Sequence, residues 1–454
     1  MPYEIFCQSV QGSSHIKNDM PCEDSGKVVS TDICKIFALG DGHGDSNCPR
    51  SKIGSQYICD ITIQELECFA SDVYAQDWIH HLFDKVEAEH LVNQLITSIF
   101  GKWSCAVNDE FARNPLTEKE EAEAVEYIER YKQGQRIEHI YGTTLIAGLL
   151  TKEYLLLLQQ GDGRCVVFNE DGSASQPIPW DDRCFANVTT SVCDVDAIAS
   201  CRYHIIDLST NKIIACVAGS DGVEDSFNSM DKMHVYYRNL LKIACENGTE
   251  SLESYLEESL PSFSANGSGD DTTICGVIDA DLFKAKLDVM EQENELIMIK
   301  DEISRAQERI DSMSNKLAFL KKKYDDACAD YSAIEARYSV LEDKYKSIKD
   351  DMQNDVEART FFEESNENAF ENAFEVLMRL KRCLLSTSSV DCLSKSLDKL
   401  ERKMEALKED LEKSKVSKEA CEAEYLPYKE KYDGYIKIKE DAIIRMSELN
   451  GSNS

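Results

Sequence analysis

The chain has 454 residues, with 84 Asp and Glu against 50 Lys and Arg and a formal net charge of −34. That length exceeds a single hydrophobic core, so two or more units are expected, and an acidic surface repels phosphate backbones, which excludes nucleic acid and anionic membranes as partners. No apolar stretch reaches the roughly 18–20 residues of a membrane span, and the 18 scattered cysteines contain no C-x-x-C pair, so reduced thiols in a cytoplasmic protein are expected rather than a zinc cage or a disulfide framework.

The N-terminal sequence MPYEIFCQSVQG lacks the basic region and apolar run of a signal peptide. Residues 1–280 read as interleaved strands and helices. β-rich runs fall at Ile33–Leu39, Thr143–Leu150, Tyr154–Leu158, Cys165–Phe168, Lys212–Ala218 and Thr272–Ile278, with Asp171-Gly172 as a hairpin turn. Helical patterns fill Ser55–Phe69, Val86–Phe111 and Met230–Glu246, and the charged stretch 116–136 suits an exposed helix or flap. Without regular βαβ repeats, this order predicts an α+β fold. His80 and His81 read as surface residues of a helix.

After Asp281 glycine and proline nearly vanish. Apolar or aromatic residues recur at alternating steps of three and four from Leu296 through Ile299, Ile303, Ala306, Ile310, Met313, Leu317 and Leu320 to Tyr345, Ile348 and Met352. This is the period of a coiled-coil seam, sustained for about eight heptads, and at ~1.5 Å per residue it spans roughly 85 Å. The helical pattern continues to 385, with Phe370, Phe374, Leu377 and Leu380 on one stripe. The run Ser386-Thr-Ser-Ser-Val-Asp391 predicts a turn and a new N-cap. A second seam over 392–454 begins at Leu393, Leu397, Leu400 and Met404, and Pro427 and Gly434 are expected to kink or break it. An antiparallel hairpin within the chain and a zipper between two chains both fit. The short connection favours the hairpin, and leftover length of the first helix favours a homodimer or another coiled-coil partner.

Five acidic clusters abut these strands: Cys22-Glu23-Asp24, Asp41-Gly-His-Gly, Gly161-Asp162-Gly-Arg, Gly219-Ser-Asp221-Gly and Gly269-Asp270-Asp271-Thr-Thr. A carboxylate at a strand end between glycines presents oxygen to a hard divalent cation. Together the five suit a cage for two or three Mg2+ or Mn2+ ions, as in two-metal hydrolysis. Neither a cysteine-phosphatase signature nor a Walker A loop is present.

The order of these motifs resembles that of the type-2C, metal-dependent (PPM) protein phosphatases. Glu23-Asp24, Asp41-Gly-His-Gly, Gly142-Thr-Thr, Gly161-Asp-Gly-Arg, Ser220-Asp-Gly-Val-Glu-Asp225 and Asp270-Asp-Thr-Thr follow in the family's sequence, across essentially all of 1–280. The opening Gly12-Ser-Ser-His15…Pro21-Cys-Glu-Asp24 is similar to the bacterial branch. The resemblance implies a central β-sandwich flanked by helices, followed here by the coiled coil. It implies hydrolysis of phosphoserine and phosphothreonine by direct attack of a metal-bridged hydroxide, a phosphoprotein substrate and an opposing Ser/Thr kinase. By the same resemblance Asp41 bridges two metals, the Gly42 carbonyl binds one, and Asp221 and Asp270 bind the other. Asp24, or Glu23 beside it, orients metal-bound water, Asp162 helps hold a third metal, and His43 is the acid that protonates the leaving alcohol. The pattern departs from animal members at one position: their phosphate-binding Arg, four residues before Glu-Asp, is Asp19 here, which leaves His15 or Lys17 for that role. The coiled-coil arm is expected to dimerise the enzyme or recruit substrate. The competing reading is a weakly active or inactive phosphatase-like scaffold that works through the arm.

Overall fold

The computed structural model of the chain describes residues 1–124, 127–185, 188–365 and 373–451, with the backbone alone at 123, 354–365 and 373–393. It divides into two compact units, Met1–Met298 and Ile299–Ser454.

In chain order the elements are β1 (Tyr3–Val10), α1 (Ser13–Lys17), β2 (Ser25–Ser30), β3 (Lys35–Gly40), α2 (Ser51–Ala75), α3 (Lys85–Arg113), α4 (Glu118–Glu123), α5 (Ile128–Lys132), β4 (Leu145–Leu150), β5 (Tyr154–Gln160), β6 (Arg164–Asn169), β7 (Ala174–Ser175), α6 (Ala197–Ser200), β8 (Arg202–Asp207), β9 (Ile213–Gly219), α7 (Asp221–Glu224), α8 (Met230–Asn247), α9 (Thr249–Asn266), β10 (Thr272–Asp279), α10 (Ala280–Ala285), α11 (Leu287–Ser365) and α12 (Ala373–Gly451), with short 3-10 helices at Ile79–Phe83 and Ile137–Tyr141. In the first unit one sheet runs β1-β10-β9-β6-β7 and the other β2-β3-β4-β5-β8. All their pairings are antiparallel.

Three apolar layers hold this α+β sandwich together. Between the sheets lie Phe37, Leu39, Ile146, Leu155, Leu157, Val167 and Cys216. Ile36, Ala38, Ala147, Leu156 and Leu158 face α2 and α3, which bring Ile58, Leu66, Ile96 and Trp103. On the other side Phe6, Phe168, Ile214 and Val217 meet Tyr237, Leu241, Leu256 and Leu260 of α8 and α9. Helices α2 and α3 cover one face of β4 and β5, helices α8 and α9 cover one face of β9, and the opposing sheet covers the other face of each, so all three strands are buried along their whole length and read as continuous apolar runs without alternation. Each fully buried Leu or Ile contributes roughly 1.5–3 kcal/mol.

The apolar runs expected at β3, β4, β5, β6, β9 and β10 are strands, and Asp171-Gly172 turns between β6 and β7, with Gly172 at φ +86°. β1, β2 and β8 were not foreseen; each is only partly buried and carries polar residues that mask the period. The stretch 116–136 holds two short helices, α4 and α5, and Arg50 at the start of α2 forks onto Glu120 of α4 while also meeting Glu110 of α3. His80 and His81 lie on a 3-10 turn rather than an α-helix, His80 exposed and His81 partly so. The expected boundary at 280 cuts through packed structure: Phe283 and Met290 are both about 1% exposed, within the α8–α9 layer.

In the second unit α11 and α12 pair with each other as an antiparallel coiled coil. Glu302 meets Arg445, Gln307 meets Lys439, Lys323 meets Glu424 and Tyr345 meets Glu401, so partner numbers fall as the first helix advances. Tyr324 stacks on Tyr425 at 5.6 Å. Seam residues Ile299, Ala306, Met313 and Leu320 are buried, as are Cys421 and Ala442 of α12. Each helix is 79 residues long, so the leftover first-helix length expected from the sequence does not arise. The turn expected at 386–391 is helix: α12 runs unbroken through it, through Pro427 and through Gly434. Ser and Thr cost well under ~1 kcal/mol each in a helix, and a proline about 3 kcal/mol; around Pro427 the packing of α12 against α11, with Tyr425 stacked on Tyr324 and Glu424 paired with Lys323, offsets the local penalty. The connection between the helices, 366–372, and Phe370 of the predicted stripe lie outside the described residues. No described helix is long and apolar enough to cross a membrane, and every described cysteine is a free thiol.

Candidate metal centre

Buried strands deliver the acids to one edge of the sandwich. Asp41 follows β3, and its backbone is clamped to the start of β4: its N–H donates to Thr144 Oγ1 at 3.1 Å, and its carbonyl accepts from Thr144 N–H at 2.8 Å and from the Thr143 hydroxyl at 3.0 Å. Gly42 pairs with Thr143, and a Cβ there would fall 2.8 Å from the Glu23 carbonyl. Asp221 opens α7 directly after β9. The adjoining Gly222 lies so close to Asp271 that a Cβ would sit 2.1 Å from its carbonyl. Only glycine permits these approaches, which is why the acids come with glycines.

The carboxylates repel one another. Burial, then the charges of Asp221 and Asp24, hold the Asp41 carboxyl well above the usual carboxylate range. Asp24 is raised by burial and by Asp271 and Asp221, despite bonds from Thr273 and Ser220; the Thr273 hydroxyl donates to its Oδ2 at 2.7 Å. Burial and Asp162 raise Asp221, burial raises Asp162, and burial with Asp270 raises Asp225. Asp24, Asp41, Asp162 and Asp221 of the predicted set, joined by Asp225, therefore form one electrostatically coupled group; Asp270 acts on both Asp221 and Asp225. Oxygen donors that burden each other in this way suit a hard cation, which would relieve the repulsion.

Glu23 lies at the rim. Its Oε1 accepts from the Ser51 hydroxyl at 2.9 Å, its Oε2 is buried without a partner, and burial raises its pKa. The Asp270-Asp271 pair divides its labour. Asp270 is half-exposed and its Oδ1 accepts from the Asp271 N–H at 2.7 Å. Asp271, 3% exposed, accepts the Gly12 and Glu23 N–H groups at 2.6 Å each and lies 2.9 Å from Nδ1 of His15. Burial works against its charge, but those contacts hold it below the usual range. Asp271 thus fastens the N-terminal loop, a role the sequence reading did not assign.

His15, in α1, is raised to about 9 by the Asp271 carboxylate, and its Nε2 is 3.7 Å from Asp270. Lys17 is exposed. Arg164 is committed to a fork on Glu224 and lies over the Trp180 ring at 3.8 Å. His43 packs against Gly142, where a Cβ would fall 2.5 Å from its Cδ2, and its Nε2 lies 2.7 Å from Ser191 Oγ. Burial pushes the His43 imidazole down to about 4. Ser191, Thr273, Ser220, Asp225 and Asp271 are the site residues that sequence reasoning passed over. Asp225, Asp271, Ser220 and Thr273 stood inside quoted motifs, whereas nothing local marks Ser191.

Residues 11–258 match the sequence model of protein phosphatase 2C. Among solved structures, a bacterial serine phosphatase is 17% identical over 61% of this chain and 97% of its own, with a TM-score of 0.39. The catalytic domain of serine/threonine protein phosphatase PstP in complex with two manganese ions is 16% identical over 61% and 97%, with a TM-score of 0.36. Serine/threonine phosphatase Stp1 from Staphylococcus aureus is 16% identical over 61% and 94%, with a TM-score of 0.37. No curated protein matches the chain.

Proposed function

The chain belongs to the protein phosphatase 2C family, and from that premise we propose how its own residues carry out the metal-dependent hydrolysis of phosphoserine and phosphothreonine in a phosphoprotein. The observation that carries the reading is the group of coupled carboxylates at the strand ends, raised by burial and by one another. Asp41, the Gly42 carbonyl, Asp221 and Asp270 would hold two Mg2+ or Mn2+ ions, and Asp162, with Asp225 beside it, a third. When bound, such ions supply the Lewis acidity that makes water a nucleophile near neutral pH and neutralises phosphoryl oxygens.

The remaining roles fall to the protein. Asp24 and Glu23 orient water for direct attack on phosphorus. His43 passes a proton to the oxygen of the departing serine or threonine; burial keeps its ring neutral at rest, and the dianion of a bound phosphate ester opposes that shift. His15, cationic beside Asp271, and the exposed Lys17 are the basic groups on the loop where animal relatives place their Arg, and we assign them to phosphate attraction. Because α12 fills the seam of α11, a second copy or a recruited substrate would meet the outer faces of the arm, where Phe319, Val340 and Val416 are more than half exposed. A Ser/Thr kinase would supply the phosphoprotein, and the free thiols suit a reducing, cytoplasmic setting.

The test uses the full chain and a phosphothreonine peptide. Turnover should require Mn2+ or Mg2+, vanish with EDTA, and fall at least ~100-fold in Asp221→Asn. Absence of turnover from a folded, Mn2+-bound chain would overturn the reading in favour of the scaffold.

A further inference from the structure

The ion pairs of the arm define a register, and that register stops being complementary at one place. Glu302 meets Arg445, and three heptads on in α11 and three back in α12, Lys323 meets Glu424. Three heptads further, the same register sets Lys344 across from Lys403. Opposite charges at these flanking positions hold a two-helix seam, and like charges facing each other weaken it. Lys344, Lys403 and Lys399, one turn before Lys403, are all exposed. Among the described residues the arm's ion pairs engage Arg305, Lys323, Lys346, Lys413 and Arg445 and leave these three lysines aside.

On this side of the seam the helices enclose a groove of about 660 Å3. Val340 and Leu341 of α11 face Ala406 and Leu407 of α12 across it, with Arg337 and Lys403 at its margin. Val340 is 56% exposed, a large apolar side chain left open to water. Arg337 has Asp410 across from it in the register, so the uncompensated charge gathers at the Lys403 end. There Lys395, Lys399 and Arg402 line an adjoining hollow in which Asp398 is the single acid.

We propose that this groove docks an amphipathic helix of a protein partner, with an apolar stripe over Val340 and Ala406 and Asp or Glu residues reaching Lys344, Lys399 and Lys403. It rests on the reading of the arm as a recruiting surface and names the chemistry of what is recruited. Apolar residues at steps of three and four form a line along a helix, which a groove between two helices receives. Small Ala336 and Ala406 beside Val340 let that helix approach closely, and its acids cancel the lysine repulsion that the two-helix arm cannot relieve by itself. A second copy suits the groove less well. By heptad position the other side of the seam carries Ser332, Glu335, Ser339 and Glu342 of α11 with Glu401 and Glu405 of α12, acidic but without an apolar stripe. An anionic membrane meets a chain of net charge −34, which repels an extended surface of that sign, whereas a single helix reaches the local cations alone.

The test reads binding to the full chain rather than turnover, so a fault in the phosphatase reading cannot imitate its failure. The probe is a fluorescein-labelled helical peptide of three heptads, with Leu on one stripe and Glu beside it. A twin carries Lys in place of Glu. Fluorescence anisotropy should show the Glu peptide binding at least ~10-fold more tightly than the Lys peptide, with the preference shrinking as NaCl is raised. Lys344→Glu separates docking from the stability of the arm. It gives Lys403 an opposite charge, so the helical signal of the arm should melt no lower than in wild type, while the Glu peptide binds at least ~10-fold more weakly. Val340→Ser should weaken that peptide as well. Equal binding of the two peptides, wild-type binding in Lys344→Glu, or an arm that melts lower in that variant overturns the proposal. A chain that sediments as a dimer, and as a monomer in Val340→Ser, makes a second copy the occupant. Binding to phosphatidylserine vesicles that Lys344→Glu abolishes makes it a lipid surface. Either result also overturns the proposal.

Discussion

Asp270 and Asp271 are chemically identical neighbours, and their surroundings give them opposite tasks. Asp271 spends both oxygens on the Gly12 and Glu23 amides and on His15, whereas Asp270 stands half-exposed beside the coupled acids. Asp271→Asn keeps the shape but removes a charge and turns one acceptor into a donor that faces a backbone N–H. Hydrogen bonds to a charged group contribute about 1.5–3 kcal/mol, so the variant should lose about that much in a urea titration. The loss should persist with Mn2+ present, because the fastening of the N-terminal loop is independent of the cation. A sequence shows that an Asp-Asp pair follows a glycine, and the strand-end pattern led to Asp41, Asp221 and Asp162 because buried strands next to glycines are local features. It does not show which of two adjacent acids turns inward. Nor does it reveal Ser191, whose meaning comes from a partner 148 positions distant.

At the scale of elements, legibility followed burial. β4 and β9 were evident because both faces are covered and the apolar runs are unbroken. The partly buried β1, β2 and β8 carry Glu4, Lys27 and His204 amid their apolar residues and gave no clear period. The arm's heptads were evident for the opposite reason, since a two-helix seam writes its spacing directly into the chain. Its antiparallel pairing was one of two readings until Glu302–Arg445 and Lys323–Glu424 set the register. Ala442, fully buried in that seam, tests the pairing. Ala442→Asp places an unpaired charge there, so circular dichroism should show part of the helical signal melting at a lower temperature. Hydrolysis of p-nitrophenyl phosphate should be retained, because the arm contributes no proposed catalytic group.

For the whole first unit, the coupled acids make stability depend on pH and cation together. Asp24, Asp41, Asp162, Asp221, Asp225 and Glu23 all have folded pKa values above the ordinary carboxylate range. A raised carboxylate contributes stability that is complete below its unfolded pKa of about 4 and is lost as pH rises through the folded value. His15, raised to about 9, acts in the same direction, contributing below about 6.5 and losing that contribution as pH climbs toward 9. Asp271, which is lowered, opposes them only at acid pH. In EDTA the melting temperature should therefore fall between about pH 5 and pH 9. Mn2+ should flatten that fall by neutralising the cluster, with protons released on binding that calorimetry in two buffers will register. A metal-free melting temperature that rises across this range would contradict the coupling.

The pairing of β1 with β10 carries a consequence for the birth of the protein. Tyr3 lies opposite Asp279 and Val10 opposite Thr272, so the first strand made is closed only by the last strand of its unit. At about 5–20 residues per second, a ribosome takes roughly 13 to 54 s to bridge that interval. Through it β1 stays unpaired along the edge that β10 will occupy, while the opposite sheet can assemble as far as β5 once Gln160 has emerged. The arm follows β10 by way of α10, so its coiled coil is synthesised only when the sandwich already has the means to close, and the long apolar seam leaves the ribosome attached to a domain whose β1 and β9 have gained their partner in β10.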